Sequence, residues 1–139
     1  MKMLLDKSKE NIDSADFLFE KGNYNTVMHC AYYSFFQFIS HLNGNKLKPI
    51  TGQSSHDVLF DAFYKELKSD DKRFKCIRDF KLTPRKIKDK IYKIKGLRMN
   101  ADYDSGIKFT SEESDIVSDC IGETKLLLNI FGKLYKDQL

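Results

Sequence analysis

The chain has 139 residues, 41% of them hydrophobic and 13% aromatic, and carries a net charge of +4. That is enough apolar material for a core, which excludes a wholly disordered chain, and the length predicts one domain over residues 1–139. Two Pro and seven Gly disfavour a turn-rich all-β domain and suit long helices.

Three cysteines, Cys30, Cys76 and Cys120, are scattered, which argues against a disulfide framework or a zinc knuckle and predicts buried helix thiols. The opening Met-Lys-Met-Leu-Leu meets Asp6, Lys7 and Lys9 at once, too short an apolar stretch for a signal peptide. No run approaches the roughly 18 apolar residues of a membrane span. The expectation is a cytoplasmic protein without a membrane partner.

The first helix is expected over Lys2–Lys21, with Leu5, Ile12, Ala15 and Phe19 in one stripe, flanked by Leu4 and Leu18, and Gly22-Asn23 as its stop. The second runs from about Asn25 to Asn43. Its seam Met28, Ala31, Phe35, Phe38 and Leu42 steps by three and four, Tyr32 and Ile39 widen it, and His29, Tyr33, Phe36 and Ser40 lie on the other side. Gly44 ends this central helix. A loop with Pro49 and Gly52 leads to Ser54 or Ser55 as a cap. The third stripe is Val58, Leu59, Ala62, Phe63 and Leu67. Asp70-Asp71 is expected exposed, and Phe74, Ile77 and Phe80 suggest a short helical turn.

Thr83-Pro84 marks a helix start, with Ile87, Ile91, Ile94 and Leu97 facing inward as far as about Ala101. Asp104-Ser105-Gly106 reads as a turn. Thr110-Ser111-Glu112-Glu113 is a capping-box signature opening the last helix, whose inward residues are Val117, Cys120, Ile121, Leu127, Leu128, Phe131 and Leu134. Gly122 and Gly132 within it suggest close contacts with a neighbouring helix. These faces are solved by an all-α antiparallel bundle of four to five helices.

Charge is unevenly spread: residues 65–98 hold fourteen Lys and Arg against five acids, followed by an acidic tail. The densest strip is Lys81, Arg85, Lys86, Lys88, Lys90, Lys93, Lys95 and Arg98 against Asp89 alone. It either neutralises phosphates, with Lys86, Lys90 and Lys93 as candidate contacts, or pairs with the acidic last helix. No Gly-rich phosphate loop and no His-Glu-x-x-His pattern exists, and His29, His41 and His56 form no metal spacing, so no metal or cofactor is expected. Each histidine alone reads as structural or exposed.

The constellation closest to chemistry is Arg98-Met99-Asn100-Ala101-Asp102-Tyr103. Arg98 and Asp102 share a helix face. Either they form a local ion pair, or Asp102 holds Arg98 rigid for a phosphate beside Tyr103. Tyr32 and Tyr33 lie about 100° apart on their helix, which predicts core packing for Tyr32 and a dimer or groove position for Tyr33.

These residues resemble the HEPN domain family (higher eukaryotes and prokaryotes nucleotide-binding). The resemblance rests on Gly22-Asn23-Tyr24, Ala31-Tyr32-Tyr33-Ser34-Phe35-Phe36, Ser55-His56 with Phe63, Arg98-x-x-Ala101-Asp102-Tyr103 and the acidic start Ser111-Glu112-Glu113. A longer, more basic stretch between Phe63 and Arg98 departs from the pattern. The resemblance implies a HEPN-type bundle that dimerises and binds RNA or nucleotide. It also implies a place in a toxin–antitoxin or phage-defence pair beside a nucleotidyltransferase.

Many family members are metal-independent ribonucleases with a His that follows the Arg after four to six intervening residues. Tyr103, Asp104 and Ser105 stand there instead, and no histidine follows His56. Three readings follow: a non-catalytic binding module; a ribonuclease or toxin with a variant site of Arg98, Asp102 and Tyr103, in which the partner modifies Tyr103 or His29 supplies the imidazole; or a structural scaffold.

Overall fold

The computed structural model describes residues 2–44, 54–104, 106 and 108–136. Among them are six α-helices, one 3-10 turn and no strand: α1 (Lys2–Glu20), α2 (Tyr24–Asn43), α3 (Ser54–Ser69), α4 (Asp71–Asp79), α5 (Pro84–Tyr103) and α6 (Ser114–Leu134), the last preceded by the 3-10 turn Ser111–Glu113. The loop with Pro49 and Gly52, and Ser105, lie outside the described residues, and Ser54 and Ser55, the expected caps, are the first two residues of α3. No helix is long and apolar enough to cross a membrane.

Helix ends follow local chemistry. After α1 the Asn23 N–H bonds the Leu18 carbonyl (3.0 Å) and the Gly22 N–H that of Phe19 (3.1 Å), closing the helix around Gly22 at φ +77°. That reversal folds α2 back along α1. The two meet closely at Ser8 and Ser34, both buried, where each hydroxyl donates to the other residue's carbonyl (2.6 and 2.7 Å). The polar groups are thus satisfied while small side chains let the helices approach.

Helix α2 is central. Its predicted seam, Tyr32 and Ile39 are all buried. Phe35 meets Phe131 of α6 edge-on at 5.4 Å between centroids, and Phe63 of α3 meets the same ring at 5.8 Å. Asp70 caps α4 by accepting from the Arg73 N–H (3.1 Å), and Thr83 caps α5 by accepting from the Lys86 N–H (3.2 Å). The capping box of Thr110 and Glu113 forms, opening the 3-10 turn rather than α6 directly.

Several inward residues differ from expectation. Val58 is 37% exposed, and Phe60, which the stripe omitted, is buried, because α3 docks through the face of Leu59, Phe60, Phe63 and Leu67. On α5 the buried positions are Ile87, Ile91, Ile94 and Arg98, with Leu97 only half-buried. The stripe therefore continues by four residues from Ile94, not three, and delivers an arginine to the core. Gly122 is exposed, and a Cβ there would meet nothing within 4 Å, so no close helix contact needs it; at Gly132 a Cβ would touch the Phe38 ring at an ordinary 3.8 Å. Cys30 and Cys120 are buried free thiols and Cys76 is half-buried.

Candidate functional site

Helices α2 and α5 run antiparallel, so residues nearer the start of α2 face residues nearer the end of α5. His29 meets Asp102, and Tyr33 meets Arg98. Arg98 is only 6% exposed. Its Nη2 donates to the Tyr33 hydroxyl at 2.6 Å. Its guanidinium carbon lies 4.9 Å from the ring centre of Tyr32, 5.0 Å from that of Tyr33 and 5.4 Å from that of Tyr103. Three electron-rich faces around one cation stabilise it without neutralising it.

The expected ion pair with Asp102 is long. Arg98 Nε stands 3.7 Å from the carboxylate, and among the described residues that buried Nε has no hydrogen-bond partner. Asp102 instead takes a 2.7 Å hydrogen bond from His29 Nδ1. A carboxylate oxygen accepts, so Nδ1 carries the shared proton, on a ring that is 48% exposed. His29 also packs against Tyr33, 4.7 Å between ring centres.

His56 enters from the start of α3. It stacks on Phe36 at 3.9 Å, and its Nδ1 lies 2.5 Å from the Tyr32 hydroxyl. Burial, then the charges of Arg98 and Lys95, hold its pKa below the ordinary histidine value. Burial raises that of the Tyr32 phenol, against the pull of Arg98. The phenol therefore stays protonated and donates to a neutral imidazole. One layer out, Asp57 accepts from Lys95 Nζ (2.6 Å) and from the Tyr92 hydroxyl (3.2 Å). The Lys95 hydrogen bond lowers the Asp57 pKa; burial, then Asp57, pushes Tyr92 up to about 12.

The site residues expected from sequence are therefore only partly assembled. Arg98, Asp102, Tyr103 and Tyr33 come together. Lys86, Lys90 and Lys93 follow the neighbouring stripe of α5, on the side of α6: Lys90 is paired with Glu123 (2.7 Å), while Lys86 and Lys93 are exposed and make no ion pair among the described residues. Of these three lysines, only Lys90 pairs with the last helix. The lysine beside the cluster is Lys95. His29 and His56, each read alone as structural or exposed, both join it. The signal for His56 was its place in Ser55-His56. For His29 it was the four-residue step to Tyr33, which matches the step from Arg98 to Asp102 on an antiparallel partner.

Tyr103 is 68% exposed and forms one lip of an open cleft of about 580 Å³ between the start of α2 and the end of α5. Asn25 ties the cleft walls together, donating to the Ala101 carbonyl (3.2 Å) and accepting from the Phe109 N–H (2.8 Å). Lys108 and Asp104 complete the rim.

A HEPN domain model matches residues 1–134. The chain belongs to the HEPN domain family. No curated protein matches it. The HEPN bundle here is the frame that sets α2 against α5, and the clustered polar residues lie along that seam.

Proposed function

We propose that this HEPN chain binds the phosphate of RNA or of a nucleotide at Arg98. The observation that carries the reading is a buried guanidinium whose nearest carboxylate is 3.7 Å away and already engaged by His29. A desolvated cation whose ion pair is too long for a hydrogen bond, and whose buried Nε is left without a partner among the described residues, favours an incoming anion, and its fork suits phosphate oxygens. Exposed Lys86 and Lys93 extend positive charge along α5, whereas Lys90 is held by Glu123. The test is fluorescence anisotropy with labelled RNA and with AMP over a salt series. Loss of binding in Arg98→Ala supports the reading; equal binding by wild type and variant refutes it.

The His29–Asp102 pair favours a second reading, metal-independent RNA cleavage. Asp102 orients the ring and leaves Nε2 able to take the 2′-hydroxyl proton. The 2′-oxygen attacks the adjacent phosphorus, the 5′-oxygen departs with a proton from solvent, and a 2′,3′-cyclic phosphate remains. Arg98 would meet the phosphate. Incubation of RNA in chelator with wild type, Arg98→Ala and His29→Ala tests it: cleavage by wild type alone supports it, and intact RNA in every sample refutes it. Family resemblance supports a homodimer, a nucleotidyltransferase partner, a toxin–antitoxin or phage-defence setting and a cytoplasmic location. Light scattering reads the oligomer.

A further inference from the structure

We propose that the cleft beside Tyr103 is a subsite for an unpaired nucleobase, so that the chain takes single-stranded rather than duplex RNA. This rests on the phosphate reading of Arg98. A ring that stays 68% exposed with a guanidinium 5.4 Å from its centre has one face turned to the cation and the rest in solvent. Such a ring is polarised by the cation and ready for a second planar group on its free face. The space for that group is present: the open cleft of about 580 Å³ starts at this ring.

Its walls are those of a base site, not a phosphate site. Asp102 and Asp104 line it, and among the described residues Lys108 is the one cation on the rim. Asp104 Oδ1 accepts from the Gly106 N–H (2.9 Å), which leaves the second carboxylate oxygen for the amino or imino hydrogens of a base edge. A phosphate on Arg98 and a base on Tyr103 are then joined through one ribose. The arrangement excludes a duplex, whose bases present neither a free face nor a free pairing edge.

The experiment is anisotropy at one salt concentration with a labelled oligoadenylate RNA of ~10 nucleotides, the same strand as a duplex, and inorganic phosphate as a competitor. Wild type, Tyr103→Ala, Tyr103→Phe and Arg98→Ala are compared. The single strand is expected to bind Tyr103→Ala about 5- to 150-fold more weakly, the range given by losing one stack of ~1–3 kcal/mol. Tyr103→Phe is expected to bind as wild type does, and competition by phosphate to be the same in Tyr103→Ala as in wild type. If Tyr103→Ala weakens phosphate competition by the same factor, the ring acts only by packing Arg98 and the subsite is overturned. If Tyr103→Ala binds the single strand normally while Arg98→Ala does not, the subsite fails and the phosphate site stands. If Arg98→Ala also binds normally, both fail.

Discussion

Replacing Arg98 by lysine separates its charge from its shape. At 3.7 Å from Asp102 the gross Coulomb attraction is about 4–5 kcal/mol for an effective dielectric of ~20, and a lysine that reaches the same spot keeps most of it. What lysine loses is the fork. The Nη2 bond to Tyr33 (2.6 Å) is charge-assisted, and such bonds contribute about 1.5–3 kcal/mol. Arg98→Lys is therefore expected to lower the melting temperature by roughly 5–10 °C. Losing one charge-assisted bond to a phosphate weakens RNA binding by about 10- to 150-fold. Because the charge remains, the dependence of log affinity on log salt keeps its slope, whereas Arg98→Ala flattens it by about 0.7. Thermal melts and anisotropy over a salt series measure both quantities. If Arg98→Lys melts and binds as wild type does, the guanidinium geometry is irrelevant and the site as described is wrong.

Further outcomes follow from the surroundings. Lys86→Ala and Lys93→Ala are each expected to flatten the same salt dependence, and Lys90→Ala to change it less, because Glu123 already neutralises that side chain at 2.7 Å; equal effects for all three would show that the pair opens on binding. The His56 pKa is lowered in the fold, so below the ordinary value near 6.5 the unfolded chain binds that proton more tightly. Stability is thus full above about pH 6.5 and falls as pH drops through that value, with a slope that His56→Gln removes in urea titrations. A slope unchanged in the variant would assign the loss elsewhere. Asp57, also lowered, gives up its contribution only at more acid pH. Lys81 holds a φ of +59° just beyond α4, and Lys81→Gly is expected to gain about 0.5–1 kcal/mol in the same titration.

The helices were legible because their stop and start signals are chemical. Gly22 takes the positive φ that closes α1, Thr83 accepts the Lys86 N–H, and Thr110 with Glu113 completes a box visible as four letters. Helix faces were harder where the apolar pattern is broad. In α3 the run Val58, Leu59, Phe60 offers several faces, and packing against Phe35 and Tyr92 selects the one with Phe60. On α5 hydrophobicity favoured Leu97 inward. The structure buries Arg98 because tyrosine faces on α2 make a core position tolerable for a cation, a property of another helix that no reading of α5 alone contains. The same holds for His29. Its distance from Asp102 in sequence hides the pairing, which appears only once the antiparallel register sets 33 against 98 and 29 against 102.

That register also underlies the proposed preference of the centre for an anion. Continuing the stripe Ile87, Ile91, Ile94 with another isoleucine would fill the seam with apolar contacts and no desolvated charge. Arginine at position 98 costs desolvation. The aromatic rings, the Tyr33 hydroxyl and the long ion pair with Asp102 offset that cost, but the carboxylate makes its hydrogen bond to His29 and leaves Arg98 Nε without one among the described residues. Were Asp102 to close on Arg98 instead, the Nε donor would be satisfied and less of the guanidinium would be left for a phosphate. His29 is thus proposed to do two things with one hydrogen bond: it holds the carboxylate off Arg98, and it fixes the orientation of its own ring. A His29→Phe variant is expected to show both effects together. The Arg98–Asp102 pair tightens, phosphate affinity falls, and any RNA cleavage is lost. A variant that loses cleavage while phosphate affinity stays at the wild-type value would refute the first role and leave only the second.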